Sequence, residues 1–417
     1  MSMDIDKVKR CAIVGLGKSG LSLCRLLLSL GKKVKITEKQ PADNFPSSLL
    51  KRLNQQGVEV EFGGHSKNFI QDCQLLILSP GVDVKKGNLL KLVRELGILM
   101  VGEIEFSFWF NKANIIAITG TNGKTTTAFL TYKVLRRKNW RVFLGGNIGI
   151  PFSSFVLNTK KNDMVVLEVS SFQLETIMKF RPFISCLLNV APDHFDRYNS
   201  FDEYVEAKKK IFKNQTEEDW AVLNKNLPST YPWEKEIKAK ISYFSSEFAN
   251  ENLSCVYKIA TILGINKSTC REVFTSFKGL PHRMQEVAKI KGVKFINDSK
   301  STNPSSTLWA VKNIPAPIIL LAGGRDKGLN YSSLIPHLKK IKKVYLFGEA
   351  SWKIEEALYG YTQIEVFSSL KAAVYHAFQE AEEGDTILFS PMCSSFDAFT
   401  NYRERGRRFV EIVKELM

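Results

Sequence analysis

Residues 119–127 read Thr-Gly-Thr-Asn-Gly-Lys-Thr-Thr-Thr, directly behind the apolar run Ile115-Ile116-Ala117-Ile118. A buried strand feeding a glycine-rich turn that ends on a lysine and a row of hydroxyls constrains the chain more than any other feature. Successive backbone N–H groups in such a turn wrap an anion, the lysine ammonium reaches the β/γ-phosphates of a nucleotide, and the hydroxyl after it suits Mg²⁺. The candidate nucleotide contacts are therefore Gly120, Thr121, Asn122, Gly123, Lys124, Thr125 and Thr126, with the following helix starting near Thr126. The loop departs from the common G-x-x-x-x-G-K-[ST] pattern, because the first glycine position falls on Ile118. The competing reading is a Thr-rich helix cap with nothing bound.

A second glycine-rich turn, Gly15-Leu16-Gly17-Lys18-Ser19-Gly20, follows the short strand Cys11–Val14 and opens an apolar-rich helix over Leu21–Leu30. Its G-x-G-x-x-G spacing lets a backbone approach a phosphate at a helix N-terminus. Glu38 ends the next strand, Lys33–Thr37, where an acidic residue would meet a ribose or base edge. The spacing alone is weak evidence for a nicotinamide cofactor. It fits phosphate binding of another kind better, or a tight turn with no ligand.

Further aliphatic runs at Leu75–Leu78, Val165–Leu167, Leu187–Asn189, Ile318–Leu321, Val344–Phe347 and Thr386–Phe389 read as buried strands between helices, and a last helix is expected from about Phe399. Alternating strands and helices predict α/β architecture with parallel sheets. A length of 417 residues suits about three domains. Residues 225–250 show little periodicity and receive no assignment. The chain lacks an apolar run long enough to span a membrane, and its polar N-terminus carries no secretory signal. The seven cysteines form no C-x-x-C pair, which fits buried free thiols in a reducing compartment.

The formal net charge is +17, from 59 Lys and Arg against 42 Asp and Glu. Such a charge suits nucleic acid, an acidic membrane or small polyanionic substrates. No basic-aromatic repeat or nucleic-acid-reading module is visible, so no nucleic-acid partner and no membrane insertion are expected. For metal binding, Glu168 closes a strand and suits Mg²⁺. Asn189-Val190-Ala191-Pro192-Asp193-His194 offers another candidate cluster in a chain with five histidines, although a histidine beside an aspartate is often only a hydrogen-bond partner. Lys208-Lys209-Lys210 would by itself be a solvated basic face.

Taken together, these motifs resemble the Mur ligase family, and most closely its D-glutamate-adding branch. The resemblance is carried by Thr119–Thr126, Gly145-Gly146-Asn147-Ile148-Gly149, Glu168-Val169-Ser170-Ser171-Phe172-Gln173 and Asp193-His194-Phe195-Asp196-Arg197-Tyr198. It continues through Gly279-Leu280-Pro281-His282-Arg283, Asn297–Asn303, Gly323-Gly324-Arg325-Asp326-Lys327-Gly328 and the stretch from Ser390 to Phe409. It implies a three-domain α/β protein. A Rossmann-like domain (1–100) would bind a UDP-sugar, a central P-loop ATPase-like parallel-sheet domain (101–279) would bind ATP, and a C-terminal Rossmann-like α/β domain (280–417) would bind an amino acid.

By the same resemblance, Lys18, Ser19, Glu38, Ser79 and Gly81 fall on uridine-diphosphate contacts, and Asn147 on an acceptor-substrate contact. Thr125 and Glu168 would hold one Mg²⁺, and His194 with a carbamoylated Lys208 a second. Lys124, His194 and Lys208 would carry the chemistry. Asn252, Arg283, Asp298 and Lys300 resemble further nucleotide contacts, and Thr302, Lys327, Ser395, Phe396 and Tyr402 a D-glutamate pocket. The implied activity is ATP-dependent addition of D-glutamate to UDP-N-acetylmuramoyl-L-alanine in peptidoglycan precursor synthesis, by a cytoplasmic monomer. The alternatives are an L-alanine- or diamino-acid-adding relative or a folylpolyglutamate-synthase-like ligase. Two departures stand out: Ala249 occupies the first position of the family's Asn-x-x-Asn, and Tyr402 a position often held by Phe.

Overall fold

The computed structural model describes residues 5–84, 87–248 and 250–417, so Ala249 lies outside the described residues. Among these, the strands form three sheets. The first contains β1 (Arg10–Val14), β2 (Lys33–Glu38), β3 (Glu59–Phe62), β4 (Leu75–Leu78) and β5 (Leu99–Gly102), in the order β3-β2-β1-β4-β5 and parallel throughout. Its central strands are near-continuous aliphatic runs buried at every position of Leu75–Leu78, as expected of a sheet covered on both faces. The chain order reverses beside β1, which places the first glycine turn at a switch point where α/β sheets take ligands. β5 carries this sheet to Gly102, past the expected limit at residue 100.

The second sheet contains β6 (Asn114–Thr119), β7 (Val142–Gly146), β8 (Met164–Glu168), β9 (Ile184–Leu187), β10 (Trp220–Asn224) and β11 (Lys240–Phe244). Its order is β11-β10-β9-β6-β8-β7, again all parallel. β6 lies between β8 and β9, so its turn also opens at a switch point. Two expectations shift here. β9 ends at Leu187, leaving Asn189 in the loop beyond it rather than in a strand. The helix after the second glycine turn begins at Lys124, not near Thr126. Residues 225–250, unassigned from sequence, contain β11 and the short helix Trp233–Glu236. The link between the first two sheets, the helix Glu103–Phe108, is held by the buried Glu105 carboxylate, which accepts the backbone N–H groups of Met178, Lys179 and Phe180 at 2.8–2.9 Å.

The third sheet contains β12 (Gln285–Ile290), β13 (Val293–Asn297), β14 (Ile318–Gly323), β15 (Ile341–Phe347), β16 (Ile364–Phe367) and β17 (Thr386–Met392), in the order β12-β13-β17-β14-β15-β16. It is mixed: β12 and β13 form an antiparallel hairpin with a bulge between Glu286 and Ala288, and the remaining pairs are parallel. The hairpin departs from a purely Rossmann-like plan. One buried cluster gathers Ile318, Leu320, Leu334 and Ile354, and another gathers Ile319, Val374, Phe389 and Phe409, so helices pack on both faces. The last helix starts at Tyr402 rather than Phe399, because the Asn401 side chain caps it by accepting the N–H groups of Arg403 and Glu404.

The chain divides into two compact units, Met1–Val190 with Val205–Thr275, and Ala191–Tyr204 with Ser276–Met417. The first holds two of the sheets and the second holds the third, giving a three-domain α/β fold. All seven cysteines are buried and free. No helix among the described residues is long and apolar enough to cross a membrane.

Candidate active site

The turn after β6 has the backbone that its glycines allow. Gly120 and Gly123 stand at φ +149° and +82°. A Cβ on Gly123 would meet the Asn252 side-chain oxygen at 2.2 Å, and one on Gly120 would press on Leu188 at 3.0 Å. The Lys124 ammonium bends back over the turn and donates to the Gly120 and Thr121 carbonyls, each at 2.7 Å. Asn189 clamps the other wall: its Oδ1 accepts the Asn122 N–H at 2.9 Å, and its carbonyl accepts the Thr121 N–H at 3.0 Å. Thr127, which the sequence reading passed over, donates to the Gly123 carbonyl and to Asn252 Oδ1. Asn252 therefore reaches the turn, and Thr126 lies partly buried one residue before Thr127.

Beside the turn, the buried Glu168 carboxylate at the end of β8 accepts the Thr125 hydroxyl at 2.6 Å through one oxygen and Asn147 Nδ2 at 3.0 Å through the other. Thr125 and Glu168 thus offer two hard oxygen donors side by side. Ligand oxygens around Mg²⁺ lie at about 2.1 Å from the ion, hence about 3 Å from each other, so this pair fits the ion after opening by a few tenths of an ångström. Among the described residues no cluster of three or more His, Cys, Asp and Glu is assembled.

The three consecutive lysines separate. Lys208 is 1% exposed and its Nζ donates to the Gly120 carbonyl at 3.0 Å. Lys209 is partly buried and pairs with Glu206 and Glu236, and Lys210 is exposed. The solvated-face reading therefore fails for Lys208. It lies four residues after the buried Tyr204, on the inward face of the helix Phe201–Lys209.

At the first glycine turn, Gly15 has φ +96°, and a Cβ on Gly20 would strike the Gly15 carbonyl at 1.9 Å. Glu38 reaches this turn: one carboxylate oxygen accepts the Leu16 N–H at 2.7 Å, and Ser79 Oγ donates to the Gly15 carbonyl at 3.2 Å. Lys18 and Ser19 begin the helix Lys18–Ser29, where the first N–H groups have no partner within the helix, and Gly81 is exposed.

The second unit collects the remaining candidates. The Lys327 ammonium forms a buried ion pair with Asp193, whose other oxygen accepts Asn303 Nδ2 at 2.8 Å. Burial alone would raise the Asp193 carboxyl, but the Lys327 and His194 charges and the hydrogen bonds outweigh it and hold the group well below the usual carboxylate range. His194 adopts φ +59°, and its N–H is accepted by Asp193. Lys300 Nζ lies 4.2 Å from the centre of the Tyr402 ring, bringing a nucleotide candidate onto an amino-acid candidate. Asp298 is enclosed instead of presented: it accepts the Ser301 and Ser390 hydroxyls and the Met284 N–H, and burial pushes its pKa up to about 6. Arg283 precedes Met284 and is partly buried, as is Thr302, whereas Ser395 is buried and Phe396 is 61% exposed.

Arg405 is fully buried, and its guanidinium donates to the carbonyls of Ser299, Gly323, Cys393 and Ser394 and to Ser299 Oγ. It thereby fastens the loops that leave β13, β14 and β17. Thr127, Asn303 and Arg405 brace these loops without having been singled out from sequence, and Asn189 and Asp193 were read only as parts of a candidate metal cluster. Asn189 was masked by reading the strand two residues too long. The others act across folds of the chain that leave no local pattern.

Family models match three successive parts of the chain. The Mur ligase MurD-like N-terminal domain matches residues 9–102, the Mur ligase middle domain residues 118–285, and the Mur ligase glutamate ligase domain residues 282–393. A UDP-N-acetylmuramoylalanine–D-glutamate ligase of Caldicellulosiruptor bescii is 38% identical over 100% of this chain and 99% of its own. One from Caldanaerobacter subterraneus is 37% identical over 98% of this chain and 99% of its own. The UDP-N-acetylmuramate-alanine ligase MurC of Thermotoga maritima shares the fold at TM-score 0.62 and 17% identity, covering 98% of this chain and 100% of its own. MurF of the same organism, in complex with ADP, does so at TM-score 0.60 and 16% identity, covering 99% and 96%.

Proposed function

The chain belongs to the Mur ligase family, and from that premise we propose that it joins D-glutamate to UDP-N-acetylmuramoyl-L-alanine at the expense of ATP, as a cytoplasmic monomer. The observation that carries the reading is likeness to D-glutamate ligases over the whole length of the chain, including the C-terminal domain that takes the amino acid. In this reaction the acceptor carboxylate attacks the γ-phosphorus of ATP, releasing ADP and leaving an acyl phosphate. The D-glutamate amine then attacks the acyl carbon, phosphate departs, and an amide forms.

The turn after β6 supports the nucleotide half. Its N–H groups and the Lys124 ammonium neutralise the β- and γ-phosphates, which brings one anion up to another. Thr125 and Glu168 would hold one Mg²⁺, and His194 and a carbamoylated Lys208 a second, which would supply further positive charge to the phosphate oxygens. Burial of Lys208 against Gly120 supports that choice among the three lysines. Lys18, Ser19, Glu38, Ser79, Gly81 and Asn147 are the proposed contacts of the UDP-sugar. Thr302, Lys327, Ser395, Phe396 and Tyr402 are those of D-glutamate, and Asn252, Arg283, Asp298 and Lys300 serve the nucleotide. Excess positive charge steers three anionic substrates to the protein.

Phosphate release with UDP-N-acetylmuramoyl-L-alanine, ATP and each amino acid in turn tests the assignment. D-glutamate alone is expected to support turnover. Turnover with L-alanine or a diamino acid on the matching UDP-sugar, and none with D-glutamate, would move the chain to another branch.

A further inference from the structure

Asp193 has no role in the reaction as written, yet it is a buried carboxylate with three partners from three parts of the chain. It is 4% exposed, and three loops converge on it. Its Oδ1 accepts the Lys327 ammonium from the loop after β14 and the His194 N–H from its own loop, the latter at 2.8 Å. Its Oδ2 accepts Asn303 Nδ2 at 2.8 Å. Asn303 is itself fixed, because its Oδ1 caps the helix Pro304–Asn313 by accepting the Ser306 N–H at 2.9 Å. The carboxylate next to Lys327 in sequence is committed elsewhere: Asp326 takes the Tyr331 hydroxyl, the Gly328 N–H and the Lys353 ammonium. A lysine that is 8% exposed therefore depends on a carboxylate 134 residues away for its place.

We propose that Asp193 is the positioning residue of the amino-acid pocket: it holds the Lys327 ammonium where the carboxylate of the incoming amino acid is taken, in fixed register with Thr302 and His194. An ammonium has three donors, and Asp193 uses one, leaving others to face a substrate carboxylate. Loss of the pairing charge leaves a buried ammonium uncompensated, free to seek another partner or water. Asn303 lies beside Thr302, so the same carboxylate sets the spacing between the two proposed D-glutamate contacts. It also satisfies the N–H of His194, whose left-handed backbone is uncommon for a residue with a side chain. The inference rests on the reading of Lys327 as an amino-acid contact.

Steady-state kinetics of the full chain, with ATP and the UDP-sugar saturating, decide it. Asp193→Asn keeps the shape and removes the charge, and should raise the KM for D-glutamate roughly 10- to 100-fold while the KM values for ATP and the UDP-sugar move less than about threefold. Asp193→Glu should recover part of the loss. In a Lys327→Met background, Asp193→Asn should add little, since it acts through that lysine. Asn303→Ser retains the helix cap and loses the donation to Asp193. It should raise the same KM by a smaller factor, and it decides the matter if Asp193→Asn does not fold. An unchanged KM for D-glutamate in Asp193→Asn, or equal rises for all three substrates, overturns the positioning role. A parent enzyme that shows no D-glutamate-dependent turnover overturns the functional reading instead.

Discussion

The two glycine-rich turns share a plan and differ in what returns to them. Each leaves a parallel strand at a switch point and opens a helix. At the turn after β1, a carboxylate comes back: Glu38 accepts the Leu16 N–H, so an anion of the protein's own already occupies part of the concavity. At the turn after β6, an ammonium comes back: Lys124 donates to the Gly120 and Thr121 carbonyls, and the Nζ of Lys208, the lysine proposed to carry the carbamate, also reaches Gly120. Glycine spacing sets the backbone shape in both. The side chains that revisit the turn set its polarity, and hence which part of a nucleotide it can take. A cationic turn suits a triphosphate and phosphoryl transfer, whereas a turn with a carboxylate at its mouth suits hydroxyl and N–H donors of a nucleoside, with phosphate left to the helix start at Lys18 and Ser19.

The contrast can be broken most severely at Lys124. Lys124→Ala should lower turnover by roughly 10²–10³-fold with the fold intact, since only this residue brings a full charge to the phosphate bridge. Retention of activity within a few-fold, measured by phosphate release, would remove the phosphate-transfer role from the second turn. Lys208→Ala comes next, with a loss on the order of 10²-fold that a small carboxylic acid such as acetate should partly restore. Lys209→Ala and Lys210→Ala should stay near the parent. Equal behaviour of the three variants would return the run to a solvated face.

Ligand specificity of the first turn is a smaller effect. UDP or the UDP-sugar at about 100 times its Kd should stabilise the protein by roughly 2.7 kcal/mol in thermal unfolding, and NAD or NADP should do nothing. A shift with NAD and none with UDP would reverse the assignment of Glu38 and its turn. The smallest effects separate the glycines themselves. Gly20→Ala places a Cβ 1.9 Å from the Gly15 carbonyl and should destabilise by roughly 1–3 kcal/mol. Gly17→Ala meets no atom within 4 Å at an ordinary φ of −79° and should stay within about 0.5 kcal/mol in denaturant unfolding. Equal losses at the two positions would contradict the steric account of the spacing.

How much of this could be read from the sequence follows from range. Both turns and the parallel strands around them are encoded in short runs, aliphatic residues ending on glycine or a carboxylate, and they appear within three residues of where expected. The β12–β13 hairpin is not, because Gln285–Ile290 mixes polar and apolar residues with no clean period at an edge and is buried only in part. Lys208 is half legible: the lysine run conceals it, the family resemblance singles it out, and the structure buries it one turn after Tyr204. Asp193 with Lys327, and Arg405 with four carbonyls at the ends of three strands, are pairings between distant parts of the chain, and the residues around them show no periodicity that would announce the partner.

Arg405 also bears on the order in which the protein can be finished. Synthesis runs from the N-terminus, and domains tend to fold as they emerge. In the third sheet β17 lies between β13 and β14, so this sheet stays split until residue 392 has been made. The loops beyond those strands then wait for the Arg405 guanidinium, which ties Ser299, Gly323 and Ser394 together. The loops that carry Lys327 and Ser395 accordingly take shape after the turn behind β6 is already complete, and they wait for the helix Tyr402–Glu415 to emerge.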